Sequence, residues 1–193
     1  MGLSQEDIVK IFSDTGALLE GHFIYTSGRH GERFLQAARV LQHPGHTSKL
    51  CAALAEPYAD DGMQLVVGPA TGGIILAYET ARHLKCRAVF TEKDGDGGQA
   101  LKRGFALEPG TRTLVVEDVV TTGGSVAKTV AYMQARGAEV VAVAVLIDRS
   151  GGSAHFDCAY RPLAELDMKS WTPEACPLCA KNVPLIEPDD IVL

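Results

Sequence analysis

The chain has 193 residues, 46% of them hydrophobic and 22% charged, and a formal net charge of −6. These are the proportions of a globular domain long enough to bury a full core. They argue against nucleic acid as a partner, which needs a concentrated basic face, and against a membrane, since the longest apolar run, VVAVAVLI, is too short to span a bilayer.

Along the chain, residues 4–15 read as a helix, with Ser4 and Asp7 spaced as a capping box and Ile8, Ile11 and Phe12 on one face. Residues 22–42 alternate polar and apolar around Ser27-Gly28 and predict short antiparallel strands. A second helix is expected over about 46–61, broken or kinked near its end by Pro57. From residue 64 the pattern becomes strand–helix alternation. QLVVG, RAVFTE, TLVVEDVV and EVVAVAVLIDR read as buried strands, and TGGIILAYETARHL and SVAKTVAYMQARG as helices. Such alternation implies an α/β fold with a mainly parallel central sheet flanked by helices. Ligands of these sheets bind outside the carboxyl ends of the strands. The tail beyond residue 150 is proline-rich and weakly periodic, and is expected to fold back over the sheet or the N-terminal segment.

The most informative run is TLVVEDVVTTGGS, residues 113–125. A strand pattern ends in the adjacent acids Glu117 and Asp118. Val119 and Val120 follow, then Thr121, Thr122, Gly123, Gly124 and Ser125, and then a helix. Backbone N–H groups at a helix start bind an anion without a basic side chain, glycine permits close approach, and the hydroxyls add donors. Taken alone, TTGGS is also what an ordinary strand–helix turn looks like. The acids shift the reading, because paired carboxylates accept from paired hydroxyls or neighbour Mg²⁺. The run is neither a lysine-containing P-loop nor a dinucleotide fingerprint.

This run resembles the 5-phosphoribosyl 1-diphosphate (PRPP) signature of the type I phosphoribosyltransferases. The resemblance implies that Glu117 and Asp118 hold the ribose hydroxyls and act in catalysis. It also implies that Thr121 to Ser125 bind the 5′-phosphate, with Val119 and Val120 among the residues that contact PRPP. EGHFIYTSGRHGERFLQ, VVGPATGGIILA and IDRSGG are similar, in that order, to segments of the orotate phosphoribosyltransferases, so that the likeness runs from about residue 4 to 190. Thr71 and Gly72 then fall in the diphosphate loop, and Arg149, with Thr121, on orotate. An arginine fork suits a carboxylate that ordinary nucleobases lack. The implied fold has one domain over residues 1–193. Its core is 46–149, and a small hood is built from 1–45 and about 150–193.

The loop TEKDGDGGQALKRGF departs from the family's longer basic loop. It has no histidine and carries Lys93, Lys102 and Arg103. Lys93 is the candidate for neutralising the departing diphosphate, and the glycines suit a closing lid. The family's usual lysine just before the Ser-Gly is Thr26 here, and Arg29 is the candidate to compensate. The implied reaction joins orotate to PRPP with Mg²⁺ through an oxocarbenium-like state, in a homodimer. The open alternatives are a purine phosphoribosyltransferase of adenine or xanthine type, a PRPP-sensing regulator and a non-catalytic relative.

Five cysteines, odd in number, favour a reducing, cytoplasmic setting, and the acid-containing start MGLSQEDIVKIF has no signal-peptide shape. Cys176 and Cys179 read first as free thiols or a redox-labile pair; their spacing is also that of half a zinc site, for which His155 and Cys158 are the alternative's other half. Cys51 and Cys86 read as small buried hydrophobes, His22 and His30 as structural, and Trp171 as an anchor for the tail.

Overall fold

The computed structural model describes residues 2–25 and 27–187; Thr26, the position at which the family carries a lysine, lies outside the described residues. Six strands make the main sheet, in the order β5-β4-β3-β6-β7-β8. They are β3 (Leu65–Pro69), β4 (Arg87–Lys93), β5 (Gln99–Leu101), β6 (Arg112–Val120), β7 (Glu139–Asp148) and β8 (Ala159–Glu165). All neighbours are parallel except β5, which turns back antiparallel on β4. The expected α/β architecture is therefore present.

Alternation along the central strands divides the core. Val66, Leu114, Val116, Ala142, Ala144 and Leu146 point to one face, while Leu65, Val67, Val115, Val143 and Val145 point to the other. The first face is covered by α1 (Gln5–Asp14), α3 (Pro44–Ala55) and α4 (Gly72–Leu84), and the second by α5 (Gly124–Ala135). Each fully buried Val or Leu contributes about 1.5–3 kcal/mol of transfer free energy, which holds the helices on the sheet. Among the described residues no helix is long and apolar enough to cross a membrane.

Helix α1 begins as its sequence predicts. Ser4 Oγ accepts from Asp7 N–H at 3.1 Å, and Asp7 Oδ2 accepts from Ser4 N–H at 3.0 Å. Ile8, Ile11 and Phe12 enter the main core beside Leu146 and Ala164, so this helix belongs with the core sheet rather than with the hood. Pro57 ends α3, and a 3₁₀ turn replaces its last expected turn.

The hood is a second, antiparallel sheet in the order β1-β2-β9, made of β1 (Leu18–Ile24), β2 (His30–Leu35) and β9 (Ser170–Trp171). A short helix, α2 (Ala38–Leu41), leads from it to α3. The hood boundary expected near residue 150 falls later, because β8 is an edge strand of the core. Pro162 lies within β8, and a strand with a free edge tolerates the missing N–H. Ile186 then lies along β1, with its N–H on His22 O at 2.8 Å and its carbonyl taking Ile24 N–H at 3.2 Å. Helix α6 (Pro177–Ala180) lies between β9 and that contact.

Candidate active site

Strand β3 pairs with β6 only as far as Val115, whereas β7 follows β6 to Val120. The last residues of β6 thus overhang β3, and the loop after β3 fills the gap. Its Gly72 approaches so closely that a Cβ there would sit 2.5 Å from Asp118 Oδ2. Only glycine fits, and the structure so brings Gly72 against the acid pair. Thr71, next to it, is exposed, and the loop is anchored by Ala70 N–H on Thr91 O at 2.7 Å.

Glu117 is 9% exposed, and its Oε1 accepts from Asp118 N–H at 3.1 Å. Asp118 Oδ1 accepts from Val119 N–H at 2.6 Å. Burial, reinforced by the neighbouring Asp118, pushes the Glu117 carboxyl up to about 9, and burial raises Asp118 as well. Without a cationic partner the pair therefore holds on to protons.

Beyond the acids the chain turns at Thr121 and Thr122 and reaches Gly123 at φ +75°, the N-cap of α5. That left-handed conformation favours glycine. No side chain caps α5 and no acid lies in its first turn, so its leading N–H groups face outward with the positive end of the helix dipole. Glu117, Val119, Val120, Thr121, Thr122, Gly123, Gly124 and Ser125 line a cavity of about 140 Å³ here. The residues expected to hold the 5′-phosphate are thus brought together.

A second cavity of about 280 Å³ shares Thr121 and Thr122 with the first and reaches under the hood. Its other walls are Tyr25, Ser27, Phe34, Arg149, Met168 and Ser170. Arg149 follows β7, and its N–H binds Val120 O at 2.7 Å. Its guanidinium lies 5.1 Å from the Tyr25 ring centroid, a cation–π geometry that aims the fork into the cavity. Arg149 Nε is buried with no hydrogen-bond partner among the described residues. A buried donor of this kind is costly until a ligand accepts from it.

Sequence reasoning singled out Arg149 and Thr121 but not the hood walls. Tyr25 and Ser27 lie inside EGHFIYTSGRHGERFLQ, whose alternation is a signal that could have marked them. Met168 and Ser170 come from the tail and carried no such signal.

The remaining basic residues are placed less centrally. The stretch read as a lid is a β4–β5 hairpin pairing Lys93 with Gln99, closed by Asp94, whose Oδ1 accepts from Asp96 and Gly98 N–H. Lys102 Nζ donates to Lys93 O, and Arg103 pairs with Glu92. Lys93 itself is exposed on the hairpin and lines neither cavity, and its ammonium makes no hydrogen bond or ion pair among the described residues. Arg29, the candidate to compensate for the lysine replaced by Thr26, binds Ser170 through Nε and Nη2, at 2.9 and 2.6 Å.

A family model for the phosphoribosyl transferase domain matches residues 37–172. The chain is 47% identical over 186 residues to an orotate phosphoribosyltransferase of Desulforamulus reducens, covering 96% of this chain and 97% of that protein. It is 45% identical over 181 residues to the orotate phosphoribosyltransferase of Thermus thermophilus, covering 94% and 99%. Among solved structures, the orotate phosphoribosyltransferase from Aeropyrum pernix superposes with a TM-score of 0.71 at 28% identity, over 82% of this chain and 93% of that one.

The raised carboxyls set a pH dependence for the ligand-free protein. Unfolded, Glu117 ionises near 4.5; folded, it keeps its proton to about 9. The folded state binds the extra proton across that window, so stability falls as pH rises through it and levels off above. Chemical denaturation from pH 5 to 10 should show this decline, and Glu117→Gln should remove most of it. That variant should melt roughly 2–5 °C higher than the parent at pH 8.5 while losing turnover.

Proposed function

Since the chain belongs to the phosphoribosyl transferase family and its curated relatives are orotate phosphoribosyltransferases, we propose that the two adjoining cavities are the PRPP and orotate halves of one active site. The chain transfers the 5-phosphoribosyl group from PRPP to orotate, giving orotidine 5′-monophosphate and diphosphate, a step of pyrimidine biosynthesis. The observation that carries the site assignment is the unpartnered, buried Nε of Arg149 in a cavity sharing Thr121 and Thr122 with the phosphate loop.

The 5′-phosphate sits on the α5 N-terminus, taking N–H groups of the 121–125 turn and the hydroxyls of Thr121, Thr122 and Ser125. Glu117 and Asp118 accept from the ribose 2′- and 3′-hydroxyls. The diphosphate lies over Thr71 and Gly72, beside the acid pair. Orotate lies under the hood, its carboxylate or ring carbonyls on the Arg149 fork and Thr121, its ring bounded by Tyr25 and Phe34.

C1′ becomes cationic as the C1′–oxygen bond to diphosphate breaks, the orotate ring nitrogen supplies the electron pair for the new bond, and the proton of that nitrogen passes to solvent or to the released diphosphate. No protein nucleophile is needed. The carboxylates that are disfavoured as anions in the free protein are matched to this positive charge, so their cost in the ground state is offset only as the reaction proceeds. Lys93, outside both cavities with its ammonium unpaired among the described residues, is assigned the charge of the departing diphosphate, which it meets when the β4–β5 hairpin moves over the site. The donor set also fits Mg²⁺: two buried, mutually repelling carboxylates face the diphosphate position, and the ion, held mainly by PRPP, would neutralise leaving-group charge there.

The protein works as a cytoplasmic homodimer. Ile75 is 48% exposed and Tyr78 69% exposed on the outer side of α4, directly after the diphosphate loop, and pairing through this helix would bring a second chain next to the site.

Mixing protein, PRPP, Mg²⁺ and orotate should consume orotate absorbance, with uracil used at least roughly 10⁴-fold less well; no turnover would overturn the assignment. Arg149→Ala should raise the orotate KM and lower kcat/KM by about 100-fold while PRPP binding is retained. Lys93→Ala should lower kcat by roughly 100-fold with little change in orotate affinity, as stopped-flow or steady-state assays would report. In sedimentation velocity the parent should run as a dimer and Tyr78→Glu as a monomer.

A further inference from the structure

Four side chains that the reaction does not use converge in the hood. His22 comes from β1, His30 from β2, Cys176 from the start of α6 and Cys179 from within it. Their ligand atoms all lie within 4.8 Å of one another. His22, His30 and Cys176 are 2%, 5% and 3% exposed, and Cys179 is half-buried. The partners expected for the cysteine pair, His155 and Cys158, are not members of this group. The true second half lies some 150 residues upstream. Ile24 pairs with His30 across the hairpin, so His22, two residues back, shares His30's face as its diagonal neighbour.

The spacings are those of a coordination shell. His22 Nε2 is 3.0 Å from His30 Nδ1, 3.4 Å from Cys176 Sγ and 3.7 Å from Cys179 Sγ; His30 Nδ1 is 3.2 Å from Cys179 Sγ. With zinc–nitrogen bonds of about 2.0–2.1 Å and zinc–sulfur bonds of about 2.3 Å, a tetrahedron has edges of about 3.3 Å between nitrogens and about 3.5 Å between nitrogen and sulfur.

A hydrogen-bond network accounts for the cluster less well. His22 Nδ1 lies 2.8 Å from Val183 O and must donate to it, which leaves Nε2 with a single lone pair facing the cluster. Three neighbours crowd that one lone pair. A cation at their common centre takes it together with those of His30 and the two sulfurs. The Val183 carbonyl is then the outer partner that fixes the tautomer of a metal-bound imidazole. Two thiolates and two neutral imidazoles also balance a divalent ion, as a buried site requires.

We propose that His22, His30, Cys176 and Cys179 form a structural Zn²⁺ site that staples the C-terminal arm to the N-terminal hairpin. All four positions are filled by protein, so the metal serves structure rather than catalysis. Its location explains what it does. His30 pairs with Trp171 in β9, adjacent to Ser170, and Ser170 lines the second cavity together with Tyr25. The ion locks both hood segments that wall that cavity.

Elemental analysis of protein made without a polyhistidine tag and kept reduced should find about one zinc per chain. Cys176→Ser with Cys179→Ser should lose it, and Cys158→Ser should keep it. Replacement by Co²⁺ should give the intense visible bands of tetrahedral cobalt with thiolate charge transfer. Stripping with a chelator should lower the melting temperature by roughly 5–15 °C, reversibly. Should the double variant not fold, the parent's cobalt spectrum and Cys179→His, which keeps four ligands but one thiolate, decide instead. Reduced protein that contains no zinc and gives no tetrahedral cobalt spectrum overturns the proposal, as does zinc retained by the double serine variant. Metal content and the cobalt spectrum are read without substrate, so they are independent of the reaction assigned above.

Discussion

Two carboxylates on consecutive residues, both withdrawn from water, repel each other and resist ionisation. The chain accepts this at the end of β6, where Glu117 and Asp118 overhang the shorter β3. Much of the surrounding architecture follows from that position. The overhang makes room for the loop after β3, whose Gly72 must lack a side chain because Asp118 occupies the space. The turn that follows must escape the acids within a few residues, and Gly123 supplies the left-handed step into α5. The helix then presents its positive end beside the negative pair. Adjacent sites of opposite preference, one for hydroxyls and developing positive charge and one for phosphate, suit a phosphorylated sugar better than a bare anion.

The hood supplies what the core sheet lacks. A parallel sheet offers strand ends and helix starts, which recognise phosphate and ribose but discriminate poorly among bases. Discrimination needs a roof with its own side chains. Here the roof is drawn from two distant stretches, with Tyr25 and Phe34 from one and Met168 and Ser170 from the other, while Arg149 rises from the core beneath. Arg29 is spent on joining the two stretches, through both bonds to Ser170. Two basic groups of the β4–β5 hairpin are likewise committed to that hairpin, Lys102 through a carbonyl and Arg103 through Glu92.

The core was largely readable from the amino-acid order. Apolar runs of β3, β4, β6 and β7 and the stripes of α4 and α5 have clear periods, and the capping box of α1 is local chemistry. The acid pair and TTGGS turn were readable because all their parts are consecutive. What escaped was short or non-local. β5 and β9 have three and two residues, too few for a period, and β8 is disguised by Pro162, which only its edge position permits. The CxxC spacing announced half a ligand set, but its partners were set by a hairpin register and a chain return that no linear spacing encodes. The proximity of His155 and Cys158 in sequence pointed the wrong way. Burial of the Arg149 Nε could be known only once Tyr25 had been folded over it.

The distance in sequence between the two halves of the hood imposes an order on synthesis. Arg29 and Ser170 stand 141 residues apart, and the strand that carries Ser170 is made after every strand of the core sheet. A growing chain can therefore complete its phosphate loop and acid pair while the base pocket still lacks the half of its roof that carries Met168 and Ser170. Core pairings between neighbouring β–α units close comparatively short loops, whereas the last hairpin contact closes nearly the whole polypeptide. Enclosure of the acceptor is completed only at the end of translation, so a chain cut before residue 168 keeps the phosphate-binding surface and Arg149 but leaves the base pocket open on the side of Met168 and Ser170.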